Sequence, residues 1–188
     1  ISVWQRNLNN ALQNAIGQLL INTPSINTTL AVRPQDTYKI MVNELGTAQH
    51  THVISEDIAL LVDMFCYLFN LRSAGLRLST LNKAMCPRFH VDRIPCRLVT
   101  TYRGPATEWL PNMQANREQL GLVTSDNSDV NSGLFNTKKA ICRLEEGDVA
   151  LLKGEGWEGN EREGLIHRSP EVPAGQTRLF LSLDFIAS

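Results

Sequence analysis

The apolar residues of this 188-residue chain change their spacing once, near residue 75, and that change limits the folds open to it. Before it, hydrophobic side chains recur every three or four positions. Val3, Trp4, Leu8, Leu12, Ile16, Leu19 and Leu20 predict one face of a helix, ended by Thr23-Pro24. Residues 26–33 alternate weakly and predict a short strand. Pro34 suits the first turn of a second helix, which carries Tyr38, Met41, Val42 and Leu45 and stops at Gly46. Ser55 reads as the N-cap of a third, with Glu56 and Asp57 where a helix dipole favours negative charge. Ile58, Leu61, Val62, Phe65, Leu68 and Phe69 line that helix, which is expected to end near Gly75.

Beyond residue 76 the apolar runs are short and partly β-branched or aromatic: Arg97–Tyr102, Lys139–Leu144, Val149–Leu152 and Arg178–Phe185. Gly, Pro, Asn and Asp punctuate them, as in an antiparallel sheet or barrel of short strands. Residues 112–137 are polar and turn-rich and read as a long loop over the barrel mouth. Helices first and strands second predict an α+β fold, a helical layer over 1–75 laid on a β core over 76–188, in one compact domain. The last run shows how the layers meet. Leu179, Leu181, Leu183 and Phe185 share one strand face, toward the helices; Arg178, Phe180, Ser182 and Asp184 share the other, toward a partly polar cavity.

Charge and cysteine content narrow the function. With 18 Lys+Arg against 19 Asp+Glu, the chain has no basic excess for a nucleic-acid backbone. No run approaches the roughly 18–20 apolar residues of a membrane span. The four cysteines (Cys66, Cys86, Cys96, Cys142) are too few for a disulfide scaffold, so reduced thiols and a cytoplasmic location are expected.

The densest chemistry lies in Cys86-Pro87-Arg88-Phe89-His90-Val91-Asp92. Residues two apart on a strand project to one side, so His90 and Asp92 offer an imidazole and a carboxylate to one point. A second imidazole would complete the two-His-one-carboxylate set that leaves metal positions open for substrates. Of His50, His52 and His167, the last is best placed, following the turn and apolar strand of Gly147–Leu152 and preceding the strand that opens at Arg178. Cys86 and Cys96 flank the pair as Cys-x3-His-x-Asp-x3-Cys, and thiolates with imidazole would suit zinc.

The order His90-x-Asp92, His167, then Arg178 eleven residues later resembles the Fe(II)/2-oxoglutarate-dependent oxygenase superfamily, whose members share a double-stranded β-helix, or jelly roll. Thr107-x-Trp109-Leu110-Pro111, Gly147-Asp148 and Leu183-Asp184-Phe185 add to the likeness. More closely, residues 85–92, 97–105 and 153–160 resemble a bacterial family known as Domain of Unknown Function 1826. The resemblance implies a jelly-roll core under the helices, with His90, Asp92 and His167 as iron ligands. It also implies Arg178 as the partner of the distal carboxylate of 2-oxoglutarate, because a planar guanidinium grips a carboxylate through two charge-assisted hydrogen bonds. Tyr102 is a second candidate for the oxoacid. Arg97 reads as a brace, pairing with a carboxylate such as Glu108, and Arg168 as structural. Trp157, Glu158 and Asn160, in a Gly-rich segment, are candidates for a substrate lid. The expected activity is hydroxylation with Fe(II) and 2-oxoglutarate; the alternative is a non-catalytic, zinc-handling protein on the same fold.

Overall fold

The structure, a computed structural model, describes residues 1–122, 129 and 131–186. Three helices lie along one face of a sheet: α1 (Asn10–Asn22), α2 (Pro34–Leu45) and α3 (Gln49–Leu68). The Asn9 side chain caps α1 by accepting from the Leu12 amide at 2.9 Å, and Leu12, Ala15, Ile16 and Leu19 form its buried stripe. Pro34 opens α2, and Gly46, at φ +96, ends it.

Three expectations for this layer are overturned. Val3 and Trp4 are not helical; Ser2–Trp4 is an edge strand, β1. Their three-four spacing carried no directional information at the first turn, where backbone pairing with a distant strand outweighed it. Ser55 does not begin the third helix. α3 starts at Gln49, and Ser55 is buried within it, its hydroxyl donating to the Thr51 carbonyl at 2.7 Å. A serine that satisfies its own oxygen one turn back is as compatible with a helix interior as with a cap. The helix also ends earlier than Gly75, at Leu68.

The remaining strands are β2 (Asn27–Val32), β3 (Ala74–Leu81), β4 (Cys96–Arg103), β5 (Glu108–Leu110), β6 (Cys142–Arg143), β7 (Val149–Lys153), β8 (Ile166–Arg168) and β9 (Arg178–Asp184). They form a six-stranded sheet, β1-β7-β4-β9-β3-β2, and a three-stranded sheet, β6-β5-β8, with every named pair antiparallel. Alternation sorts the side chains. Leu76, Leu78, Leu98, Leu179, Leu181 and Leu183 join the helices in the main core. Val99, Ala150, Leu152 and Phe180 turn the other way and meet Leu165 and Trp109 between the sheets. β9 thus divides as its sequence predicts.

Residues 112–122 and 131–137 do not roof the inter-sheet space. Leu134 and Phe135 pack with Phe89, Leu110 and Ile166 on the outer face of the small sheet. Residues 123–128 and 130 of that predicted loop lie outside the described residues. No helix among the described residues is long and apolar enough to cross a membrane.

Candidate metal centre

His90 and His167 are brought together by the backbone before their side chains matter. The two residues exchange both main-chain hydrogen bonds, His90 N to His167 O at 3.0 Å and His167 N to His90 O at 2.9 Å. Directly paired antiparallel residues project to the same face, and the rings lie 4.6 Å apart between centroids. Asp92, two residues on from His90, turns to that same face, while Phe89 turns outward into the small-sheet core. One side-chain nitrogen or oxygen from each of His90, Asp92 and His167 lies within 4.8 Å of the other two, so the three could hold one metal ion.

Hydrogen bonding fixes how the imidazoles present themselves. His90 Nδ1 is 2.9 Å from the Arg88 carbonyl, and His167 Nδ1 is 3.0 Å from the Leu165 carbonyl. A carbonyl only accepts, so each Nδ1 is the donor, which in a neutral ring leaves Nε2 as the nitrogen with the free lone pair. Both Nε2 atoms face Asp92, at 4.0 Å for His90 and 3.5 Å for His167. Cis ligands at about 2.1 Å from an octahedral ion stand about 3.0 Å apart, so a small inward movement closes the set. Burial, the largest influence, lowers the His167 pKa against the opposing pull of Asp92. The ring is therefore in the neutral form that a metal requires. His167 is buried and the His90 side chain is 34% exposed, so one flank of the centre is open.

Arg97 orients the carboxylate. Its Nη1 donates to both Asp92 oxygens, at 3.1 and 2.9 Å, while Nε and Nη2 grip Asp184 at 2.6 and 3.1 Å. Burial opposes the Arg97 charge, but the bonds and charge of Asp184, with Asp92 behind it, raise its pKa on balance. Arg97 is thus a brace, but not on Glu108 as the sequence suggested. Glu108 is held by Arg143 and Arg168, each at 2.7 Å. Burial alone would raise the Glu108 pKa; those two arginines outweigh it and lower it. Arg168 also reaches Asp129 and lies over the Phe89 ring, a structural role.

Arg178 has different surroundings. It is 1% exposed, and its guanidinium donates to hydroxyls: Ser169 at 2.9 Å, Thr107 at 3.0 Å and Thr101 at 3.1 Å, with the Phe180 ring 4.3 Å away. No carboxylate partner for it is found among the described residues. Burial alone depresses its pKa to about 10. It lines the same cavity as His90, His167 and Arg97, together with Val99 and Phe180.

Three sequence candidates are corrected. Tyr102 does not face this cavity. It sits on the Leu98 side of β4, beside a register shift between Thr101 and Arg103, and its hydroxyl donates to Asp57 of α3 at 2.7 Å. Asp57 is also gripped by Arg6, so the tyrosine belongs to a buried ionic tie between helix and sheet. Trp157, Glu158 and Asn160 do not line the cavity either. Trp157 packs edge-on against Phe69, Glu158 is exposed, and Asn160 donates to the Gly154 carbonyl at 2.9 Å. Their segment is a clamp rather than a lid, with Glu155 N bonded to Asp92 O at 2.8 Å. A Cβ on Gly154 would overlap the Ile94 carbonyl, and one on Gly156 would stand 2.5 Å from the Arg93 carbonyl. The cysteine alternative divides. Cys86 is exposed and lines the cavity, but neither it nor Cys96 belongs to the clustered ligand set. Cys96 is buried, and burial pushes its thiol up to about 11.

Sequence reasoning missed Asp184 as the anchor of Arg97, and missed the hydroxyl cradle of Ser169, Thr101 and Thr107. The alternation of β9 places Asp184 on the inner face and so held a signal for the first. The second depends on three separate segments meeting.

The sequence matches the model of the family described as "Protein of unknown function (DUF1826)" over residues 1–184, and the chain belongs to that family. No curated protein matches it. Among solved structures, the rice dioxygenase for auxin oxidation superposes with a TM-score of 0.53 at 14% identity, covering 96% of this chain and 71% of that one. A Pseudomonas putida prolyl-4-hydroxylase aligns at 13% identity and TM-score 0.46, covering 100% and 92%. The first likeness is one of fold: the α+β architecture here is a helical layer on a double-stranded β-helix.

Proposed function

We propose that this protein is a non-haem Fe(II)/2-oxoglutarate-dependent oxygenase that hydroxylates its substrate. The observation that carries the reading is Arg178, a buried guanidinium with no carboxylate partner among the described residues, in the cavity that His90 and His167 also line. A buried charge left unpaired costs several kcal/mol, so a site of this kind is built for an anion supplied from outside. Ser169, Thr101 and Thr107 support that role, because a hydroxyl that accepts from Arg178 still has a proton to donate to a carboxylate.

The donor set also fits. Two imidazoles that point Nε2 toward one carboxylate form the facial set that suits Fe(II) and leaves positions vacant. His90, Asp92 and His167 would hold the metal, and Arg178 the distal carboxylate of the cosubstrate. Bound there, iron and the 2-oxo acid supply the activation of dioxygen. The chain's own contribution is placement and shielding. Arg97 aims Asp92, the two backbone carbonyls hold the imidazoles, and Val99 and Phe180 keep the inner wall apolar. The rice dioxygenase that shares the fold is consistent with this chemistry.

The test is succinate formation. Protein loaded with Fe(II) under nitrogen and then given 2-oxoglutarate and air should release succinate above the metal-only blank, and His167→Ala should not. Tight zinc or iron binding by the wild type without any succinate would favour the metal-handling alternative. Succinate release unaffected by His167→Ala would sink the assignment of the centre.

A further inference from the structure

We infer that Asp184 is a positioning residue for the metal centre, acting through Arg97 on the ligand Asp92; this rests on the reading of His90, Asp92 and His167 as metal ligands. The chain of contacts is short and runs one way. Asp184 takes Nε and Nη2 of Arg97 on one edge of the guanidinium, at 2.6 and 3.1 Å, and Nη1 on the other edge spans both Asp92 oxygens at 3.1 and 2.9 Å. Strand register sets the first pair, because Arg97 in β4 and Asp184 in β9 are direct cross-strand partners.

Arg97 alone would act against the metal. It occupies one lone-pair direction on each Asp92 oxygen and places a full positive charge beside the only acid among the clustered ligands. Asp184 changes both effects. Its bidentate grip fixes the guanidinium plane, so the remaining Asp92 lone pairs are left for an ion shared with the two Nε2 atoms. Its charge offsets that of Arg97, and the trio of Asp92, Arg97 and Asp184 keeps a net charge of about -1 facing a divalent cation. Partners of a ligating carboxylate set metal affinity in this way, and losing one costs about 10–100-fold. A cross-strand pair with a purely structural role predicts something else: a small stability change with no effect on the metal.

The experiment is anaerobic titration with Co(II), following its visible d–d absorption, on the wild type, Asp184→Asn, Asp184→Glu and His167→Ala, with metal-free melting temperatures alongside. Asp184→Asn keeps the shape, removes the charge and leaves one acceptor for Arg97 instead of two. It should bind Co(II) about 10–100-fold more weakly, with a changed d–d spectrum, while its metal-free melting temperature stays within about 4 °C of wild type. Asp184→Glu restores the charge and should recover most of the affinity. Unchanged affinity and spectrum in Asp184→Asn, or an equal loss in Asp184→Glu, overturns the inference while leaving the centre standing. Failure of the wild type to bind Co(II), or undiminished binding by His167→Ala, overturns the metal reading itself.

Discussion

Replacing Arg178 by Met separates a structural arginine from one that waits for an anion. In the ligand-free protein the side chain is 1% exposed, and burial alone lowers its pKa to about 10. That depression corresponds to about 3 kcal/mol against the folded, charged form. Because the folded value is the lower one, the penalty is present in full below pH about 10 and fades only as pH rises toward the ordinary guanidinium value. Offsetting it are hydrogen bonds to three neutral hydroxyls and the face of Phe180. The two sides nearly balance, so Arg178→Met, which keeps an apolar stem and removes the guanidinium with its charge, should melt within about 4 °C of wild type. Ligand binding should tell them apart. With Mn(II) in place of iron and 2-oxoglutarate at about 100 times its Kd, the wild type gains about 2.7 kcal/mol, or about 5–10 °C for a chain of this size. Truncating one side of a buried charge pair costs about 2–5 kcal/mol of binding, so the variant's shift should fall below about 4 °C. Differential scanning calorimetry reads both quantities. An undiminished ligand shift, or a ligand-free melting temperature more than about 10 °C below wild type, would refute the reasoning.

Two further perturbations test the corrected residues. Tyr102→Phe leaves Asp57 to Arg6 alone and should cost about 1–2 kcal/mol in urea unfolding, with the 2-oxoglutarate shift unchanged; a weakened shift would restore Tyr102 to the oxoacid site. Iodoacetamide at pH 8 should modify exposed Cys86 first and spare Cys96. With its thiol at about 11, Cys96 holds about one thiolate in a thousand at that pH, and mass mapping of the two peptides reads the difference. Cys86→Ala should keep its Co(II) affinity; its loss would revive the thiolate-zinc alternative.

What the sequence determined by itself is the part of the fold that local periodicity reports over several turns or a whole strand. The change of spacing near residue 75 assigns helices and then strands, Pro34 and Gly46 bracket α2, and the alternation of β9 separates Leu179, Leu181 and Leu183 from Arg178, Phe180 and Ser182. The parity of His90 and Asp92 follows from the same rule. Periodicity reports which face a side chain takes, never which distant strand lies opposite. Only the tertiary structure decided that His167 pairs with His90 through two backbone hydrogen bonds. It also decided that Tyr102 turns to Asp57 while Arg178 donates to the hydroxyls of Ser169, Thr101 and Thr107, and that Arg97 stands between Asp92 and Asp184. Register between strands many residues apart is set by the summed packing of both sheets and the helices. The first strand, β1, shows the limit most plainly: its three residues are extended because β7 offers them a free edge, and nothing within those residues says so.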